Sequence, residues 1–369
     1  MIDRTTPPAG GLQWLDANGP HSDIVLSTRI RLARNLQGFR FGPRAQDSDR
    51  RAVLGAARDA AESASMLHEG DAYVIPALSS SARQLMLERH LVSRDLVGSD
   101  EGAPPSHSAL LLAPRAELGL MVNEEDHLRL QGLLSGFRLR ETWRMVDALD
   151  DELGERLRYA FHSEFGYLTS CPTNVGTGLR ASVLMHLPGL VLTQEIGKVL
   201  QGIGQVGLTF RGLYGEGSEV VGNFFQLSNQ TTLGKSEDDL IDHLQKIVEQ
   251  VVQYEVQARA VLRRDAPAVM EDKVWRAYGL LRYAHAASFD EVMNLLSGVR
   301  LGISLKLLLK PSVYTLNQIM ILSQPAHLEE MAGKSLTAAE MDIQRAMYVR
   351  AMLRADGDPA STEEMNDQG

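Results

Sequence analysis

Four stretches of the sequence combine arginines or acids with small residues that let a ligand approach the backbone. In Ser27-Thr28-Arg29-Ile30-Arg31 the two arginines are two positions apart. On a strand that spacing turns both guanidinium groups to one side of the sheet. Two cations there repel unless an anion lies between them, and a polyphosphate meets that need with bidentate hydrogen bonds. A solvated basic face, or pairing with the acidic run Glu124, Glu125 and Asp126, is the plainer account of the same spacing. Thr177-Gly178-Leu179-Arg180 sits in a glycine-rich loop able to aim backbone N–H groups at a phosphate; an ordinary turn would read the same. Arg211-Gly212-Leu213-Tyr214-Gly215-Glu216 follows an apolar strand, where it is either a ligand approach or a hairpin turn. In Asn123-Glu124-Glu125-Asp126-His127-Leu128-Arg129, three acids stand beside a histidine and an arginine, as in an active site or on a solvated face. Cys171 is the single cysteine, and on sequence alone it reads as a small apolar core residue.

Such groups need elements beneath them. Runs over 22–32, 109–123, 190–192, 208–214 and 220–227 read as strands, and 48–66, 80–91, 125–134, 141–152 and the neighbourhood of 195–200 as helices. Strands and helices do not alternate regularly, so the fold class expected is α+β, a largely antiparallel sheet flanked by helices. At Ser236 the character changes. Ser236 with Asp239 three residues on resembles a capping box, and apolar residues at 240, 241, 244, 247, 248, 251 and 252 form one helical stripe. Ser288 with Glu291 and Thr337 with Glu340 repeat the signal. The organisation expected is a loose terminus over 1–11, a mixed domain over 12–236, an all-helical C-terminal domain over 237–355 and a disordered tail over 356–369.

The chain has 369 residues, 44% of them apolar and 23% charged, enough for a large core and a satellite. With 37 Lys and Arg against 47 Asp and Glu, the net charge is −10, which argues against nucleic acid as a partner. One cysteine makes no internal disulfide, and no apolar signal segment follows Met1, so the cytoplasm is the expected compartment. No uncharged apolar run has the length of a membrane span. Gly202, Gly204 and Gly207 spell a dinucleotide pattern, but a helical stretch precedes them and β-rich residues follow, the wrong context. Gly234-Lys235-Ser236 looks like the end of a phosphate loop whose earlier glycine would stand at Asn229; helix capping explains Ser236 better.

Read together, STRIRLARNL (27–36), NEEDHLR (123–129), CPTNVGTGLRAS (171–182) and RGLYGE (211–216) resemble the motifs of the phosphagen kinase family, in the right order. The family phosphorylates guanidino groups. The resemblance is closest to its bacterial protein-arginine kinase branch, because little chain precedes Ser27 and a helical region follows the catalytic motifs.

That resemblance implies a set of roles. Arg29, Arg31, Arg129, Arg180 and Arg211 cradle the phosphates of ATP. They lie within nucleotide-binding segments that also comprise Ser27, Thr28, Ile30, Ala181, Ser182, Val183, Leu184, Gly212, Leu213, Tyr214, Gly215 and Glu216, and His90 helps to hold the nucleotide. Mg²⁺ is held mainly through phosphates and water, with no protein metal site. Glu125 is the principal base and Glu216 the second carboxylate orienting the acceptor guanidinium. Asp126 helps, and Cys171 supplies a reactive thiol beside the acceptor. In the helical region the branch binds phosphoarginine through a motif whose first arginine is Met341 here, with Asp342 and Arg345 retained. The expected activity is transfer of phosphoryl groups to protein arginines in stress-response quality control. Arginine-bearing proteins, an activator protein, a protease complex and a second copy of the chain are the expected partners. A kinase for a free guanidino compound, or a phosphoarginine-binding adaptor, is the alternative.

Overall fold

The computed structural model describes residues 1–8, 12–98, 102–212 and 220–357. Its centre is the strand built from VLSTRIRLAR. Alternate residues of that run are apolar, so one face enters a core while Arg29 and Arg31 stay on the other. In chain order the strands are β1 (Ile2–Asp3), β2 (Val25–Arg34), β3 (Asp71–Val74), β4 (Ala109–Leu112), β5 (Leu118–Val122) and β6 (Leu128–Ser135). A small hairpin of β7 (Phe161–His162) and β8 (Gly166–Tyr167) follows, then β9 (Leu179–His186), β10 (Leu208–Arg211) and β11 (Phe224–Asn229). Among the described residues, nine of these make one sheet in the order β1-β3-β4-β5-β6-β2-β9-β11-β10. Every pairing is antiparallel except that of β1 with β3.

Helices cover both faces. On one, α1 (Asp47–Ser63) and α4 (Leu139–Gly154) pack on Ile30, Leu32, Ala181 and Val183. Helix α2 (Ser80–Glu88) and the single turn α3 (Arg94–Val97) lie between them in sequence and border the other face. Helices α5 (Pro188–Leu192) and α6 (Ile196–Gln205) lead into β10. The long α7 (Glu237–Asp265) puts Leu240, Ile241, Leu244, Val248, Val251 and Val252 into the same cluster as α1 and α4. The change from strands to helices at 237 is therefore not a change of core. Beyond it come α8 (Pro267–Tyr283), α9 (Phe289–Ser304), α10 (Val313–Leu322), α11 (Pro325–Ala332) and α12 (Ala338–Asp356). Apolar side chains of α8, α9, α10 and α12 join Leu26, Leu133, Leu184 and Phe224 on the second face of the sheet. That is also the face of Arg29 and Arg31, since Arg29 stands opposite Leu133 on β6.

The α+β class with a largely antiparallel sheet and a helical C-terminal part agrees with expectation, as do the helix starts. Ser236 and Thr337 make reciprocal capping boxes with Asp239 and Glu340, and the Ser288 side chain accepts from the Glu291 amide. Several elements differ. The stretch 125–134 is a turn followed by β6, not a helix; Leu128 and Leu130 alternate with Arg129 and Gln131, and the charged turn before them imitates helical spacing. The stretch 190–192 belongs to α5, which Pro188 starts at its first turn. The stretch 109–123 is a hairpin of β4 and β5. At the N-terminus, expected to be loose, Ile2 and Asp3 pair with Asp71 and Ala72. Gly202 and Gly204 lie inside α6, so the dinucleotide pattern has no phosphate-binding turn. Residues 358–369 of the expected tail lie outside the described residues.

Candidate active site

The arginines converge because their strands are neighbours. β6, β2 and β9 lie side by side, and β11 separates β9 from β10. Arg31 stands directly opposite Arg180, and Arg29 opposite Ser182. Arg129 pairs across with Ala33, and Arg211 with Gln226. All five arginines line one cavity of about 740 Å³ with Glu125, Cys171, His90 and Gln131. Arg180 was expected in a glycine-rich loop. It is instead the second residue of β9, and the turn ends at Gly178. There φ is +66°, and an added Cβ would lie 2.5 Å from the Ala33 carbonyl oxygen, so only glycine fits.

The strand pleat divides the remaining nucleotide-segment residues. Ser27, Ser182 and Leu184 line a small extension of the cavity beside Arg29 and His90. Ile30, Ala181 and Val183 point into the core on the opposite face. The Thr28 hydroxyl is buried, donating to the Gly136 carbonyl at 2.7 Å and accepting from the Arg138 amide at 3.0 Å. These four belong to segments expected to bind nucleotide, and their side chains are not among the cavity-lining residues. Gly212 ends β10, and Leu213, Tyr214, Gly215 and Glu216 lie outside the described residues.

The cations of the cavity crowd one another. Neither Arg29 nor Arg31 makes an ion pair or side-chain hydrogen bond among the described residues, and the buried Arg31 Nε has no partner. Burial, then the nearby Arg129 and Arg180 cations, lowers the Arg29 guanidinium to about 10. Arg31 is pushed well down by burial and by Arg29, Arg129 and Arg180. At neutral pH such a cluster stays charged and repels itself until an anion enters. Burial, with Arg29 nearby, depresses His90 to about 3, so its ring is neutral.

The acidic side is organised around Arg129. Its Nη1 donates to Glu124 and its Nη2 to Glu125 at 3.2 Å. Glu124 is buried and also accepts from the Ser93 hydroxyl, which caps α3. Glu125 is half-buried at the cavity wall, and burial raises its carboxyl above the ordinary range against the pull of Arg129. That is the direction a general base requires. Asp126, expected to help in catalysis, is 1% exposed and is not among the cavity-lining residues. Its Oδ1 accepts from Asn35 Nδ2 and from the Ser170 amide, both at 2.6 Å, which pins the segment leading to Cys171. His127 is likewise structural. Its Nδ1 accepts from the Leu36 amide, so Nε2 donates to the Arg40 carbonyl, and burial lowers its pKa. Cys171 lines the cavity with Sγ 3.0 Å from the Thr173 hydroxyl.

Arg345 does not itself line the cavity; it is 3% exposed and donates to the Ser323 and Ala287 carbonyls and to Asp342. Gln131, Gln226, Ser93, Phe289, Gln324 and Pro325 also line the cavity and were not foreseen. Gln131 and Gln226 could have been found from strand register with Arg31 and Arg211. Phe289, Gln324 and Pro325 carry no local signal, because they arrive from 260 to 296 residues along the chain from Arg29.

Comparison with known proteins agrees with this geometry. Residues 53–258 match the family model described as ATP:guanido phosphotransferase, C-terminal catalytic domain, and residues 267–364 match the protein-arginine kinase McsB C-terminal domain. A protein-arginine kinase of Moorella thermoacetica is 46% identical over 345 residues, covering 92% of this chain and 97% of that protein. One from Symbiobacterium thermophilum is 44% identical over 346 residues, covering 93% and 97%. Among solved structures, the duplicated taurocyamine kinase of Schistosoma mansoni superposes with a TM-score of 0.58 at 25% identity, covering 74% of this chain and 40% of that one. Lombricine kinase shares the fold with a TM-score of 0.57 at 23% identity, covering 70% and 73%. With its catalytic motifs gathered on one sheet face and its helical C-terminal part matched as well, the chain belongs to the ATP:guanido phosphotransferase family, among the protein-arginine kinases.

Proposed function

We propose that this protein transfers the γ-phosphoryl group of ATP to the guanidino group of arginine side chains in proteins. The observation that carries the reading is the set of five arginines in one cavity, two of them half-buried without a carboxylate partner among the described residues, with Glu125 in the same wall. The arginines hold the triphosphate and stabilise charge on the transferring phosphoryl, where catalysis is mostly positioning and electrostatics. Mg²⁺ would be held through phosphate oxygens and water and would screen charge on the leaving phosphate. An arginine guanidinium has no lone pair free for attack. Glu125 orients it and takes its proton as the N–P bond forms and the bond from γ-phosphorus to the bridging oxygen breaks, leaving ADP. Glu216 is the second orienting carboxylate, a role taken from the family motif. Cys171 sits beside the acceptor position.

Around this activity we place a cytoplasmic protein of stress response and quality control, acting as a homodimer with an activator protein and a protease complex. No helix among the described residues is long and apolar enough to cross a membrane. The test incubates the chain with Mg·ATP and either a casein-like protein or free arginine, followed by mass spectrometry under neutral handling. Acid-labile phosphate on protein arginine is the expected result. Phosphate on free arginine alone would assign a small-guanidino kinase, and binding of phosphoarginine proteins without turnover would assign an adaptor.

A further inference from the structure

The lining of the catalytic cavity is not all charged: with the arginines and acids it includes Leu87, His90, Phe289, Gln324 and Pro325. Three of these come from the helical half of the chain: Phe289 opens α9, while Gln324 and Pro325 are the N-cap and first residue of α11. Binding of phosphates and acceptor leaves them unused.

Gln324 is 4% exposed, and its Nε2 has no hydrogen-bond partner among the described residues. A buried amide donor without a partner is unfavourable, and such an atom at a cavity wall points to a missing acceptor. Its position is rigid. Arg345 donates from Nε to the Ser323 carbonyl at 3.0 Å and from Nη1 to the Ala287 carbonyl at 2.9 Å. That one buried arginine thus fixes the segments that carry Gln324 and Phe289. From the sheet side, the buried Glu88 carboxylate accepts from the Ala326 amide at 3.0 Å and from His327 Nδ1 at 2.8 Å. His327 Nε2 accepts from Arg89 Nε at 3.0 Å, so Nδ1 is the nitrogen that donates to Glu88. The residue after Arg89 is His90, whose carbonyl is held by Gln131 at 2.9 Å. The helical half and the cavity floor are therefore one braced unit.

We propose that Gln324 is a nucleotide-binding residue, its side-chain amide donating to a base nitrogen or ribose oxygen of ATP, so that the helical half completes the nucleotide site. This rests on the reading of the cavity as an ATP site. Phosphates belong with the arginines of the strands, whereas a neutral amide among the uncharged lining residues suits the nucleoside. Gln amides pair well with adenine edges.

Gln324→Met in the full chain keeps the volume and removes the donor. Calorimetry is expected to show ATP binding weakened about tenfold, and kinetics a matching rise in KM for ATP. The kcat and the KM for a casein-like acceptor stay within about twofold. Inhibition by AMP weakens by the same factor, and inhibition by inorganic tripolyphosphate is unchanged. ATP affinity equal to that of the parent chain overturns the assignment, and so does equal weakening of tripolyphosphate, which would move the amide to the phosphates. Should the Met variant fail to fold, Gln324→Asn, which shortens the reach, is read by the same criteria. Calorimetry needs no acceptor, so a parent chain that binds ATP but phosphorylates no protein arginine would sink the proposed function and leave this inference standing or falling on its own.

Discussion

Glu125 is raised by burial yet held by Arg129, two opposed effects of the same crowded wall. Glu125→Gln keeps the shape and removes the base, and kcat is expected to fall by about 10²–10⁴. The sign of its pH dependence follows from the raised pKa. Activity requires the deprotonated form, so it is lost as pH falls, and the loss begins above the pH at which an ordinary glutamate, near about 4.3, would protonate. The acidic limb of kcat against pH should lie above that value in the parent chain and vanish in Glu125→Gln. Arg180→Ala removes a guanidinium directly opposite Arg31. Steady-state kinetics should show at least a tenfold loss in turnover or ATP affinity, rising towards the about 10²–10³ typical of one charge-stabilising donor.

Strands carry the site, so its precision depends on what seats them. Gly178 sets the start of β9 at φ +66° against the Ala33 carbonyl. Gly178→Ala forces a left-handed backbone worth about 1–2 kcal/mol and also a backbone clash. Denaturant titration should show at least that loss, with activity falling further because Arg180 is displaced. Arg34, at the far end of β2, is buried and donates from Nε and Nη2 to Asp150 of α4 at 3.0 and 2.6 Å. Its guanidinium also lies 3.5 Å from the centre of the Tyr167 ring. Asp150→Ala leaves that cation buried without its partner, a change of about 3–5 kcal/mol that thermal unfolding would register.

Over the whole molecule the sheet separates two cores, and the C-terminal helices close the second. Leu133, Leu184 and Phe224 would meet water if α8 to α12 were removed. A chain ending at residue 266 is therefore expected to aggregate or lose cooperative unfolding, which size-exclusion chromatography and calorimetry would show. Arg300 and Arg259 reinforce the junction: Arg300 reaches the Ser22 carbonyl and Asn317, and Arg259 reaches Glu255 and the His186 carbonyl. The net charge of −10 adds a long-range term. The KM for arginine-rich protein substrates should rise with ionic strength as screening shortens its reach.

Spacing made Arg29 and Arg31 legible as cations on one sheet face, whereas the grouping of all five arginines with Glu125 and Cys171 followed from the resemblance of their motifs to a family. Period-two alternation likewise announced the strand of Arg29 and Arg31, and capping residues announced α7, α9 and α12. The helical reading of 125–134 failed because charges in a tight turn imitate a helix start, and the strand pairing that overrode it lies outside the local window. Nor does local pattern tell Thr28, Ile30, Ala181 and Val183 from their cavity-facing neighbours until the pleat direction is known. Asp126 and Gln324 are the sharpest cases. One, expected to help in catalysis, braces the segment leading to Cys171 from a buried position, and the other, which the sequence did not single out, stands in the cavity wall with a donor that has no partner among the described residues. Both outcomes depend on segments far apart in the chain packing together, and that packing is a cooperative property of the folded state rather than of any stretch of residues.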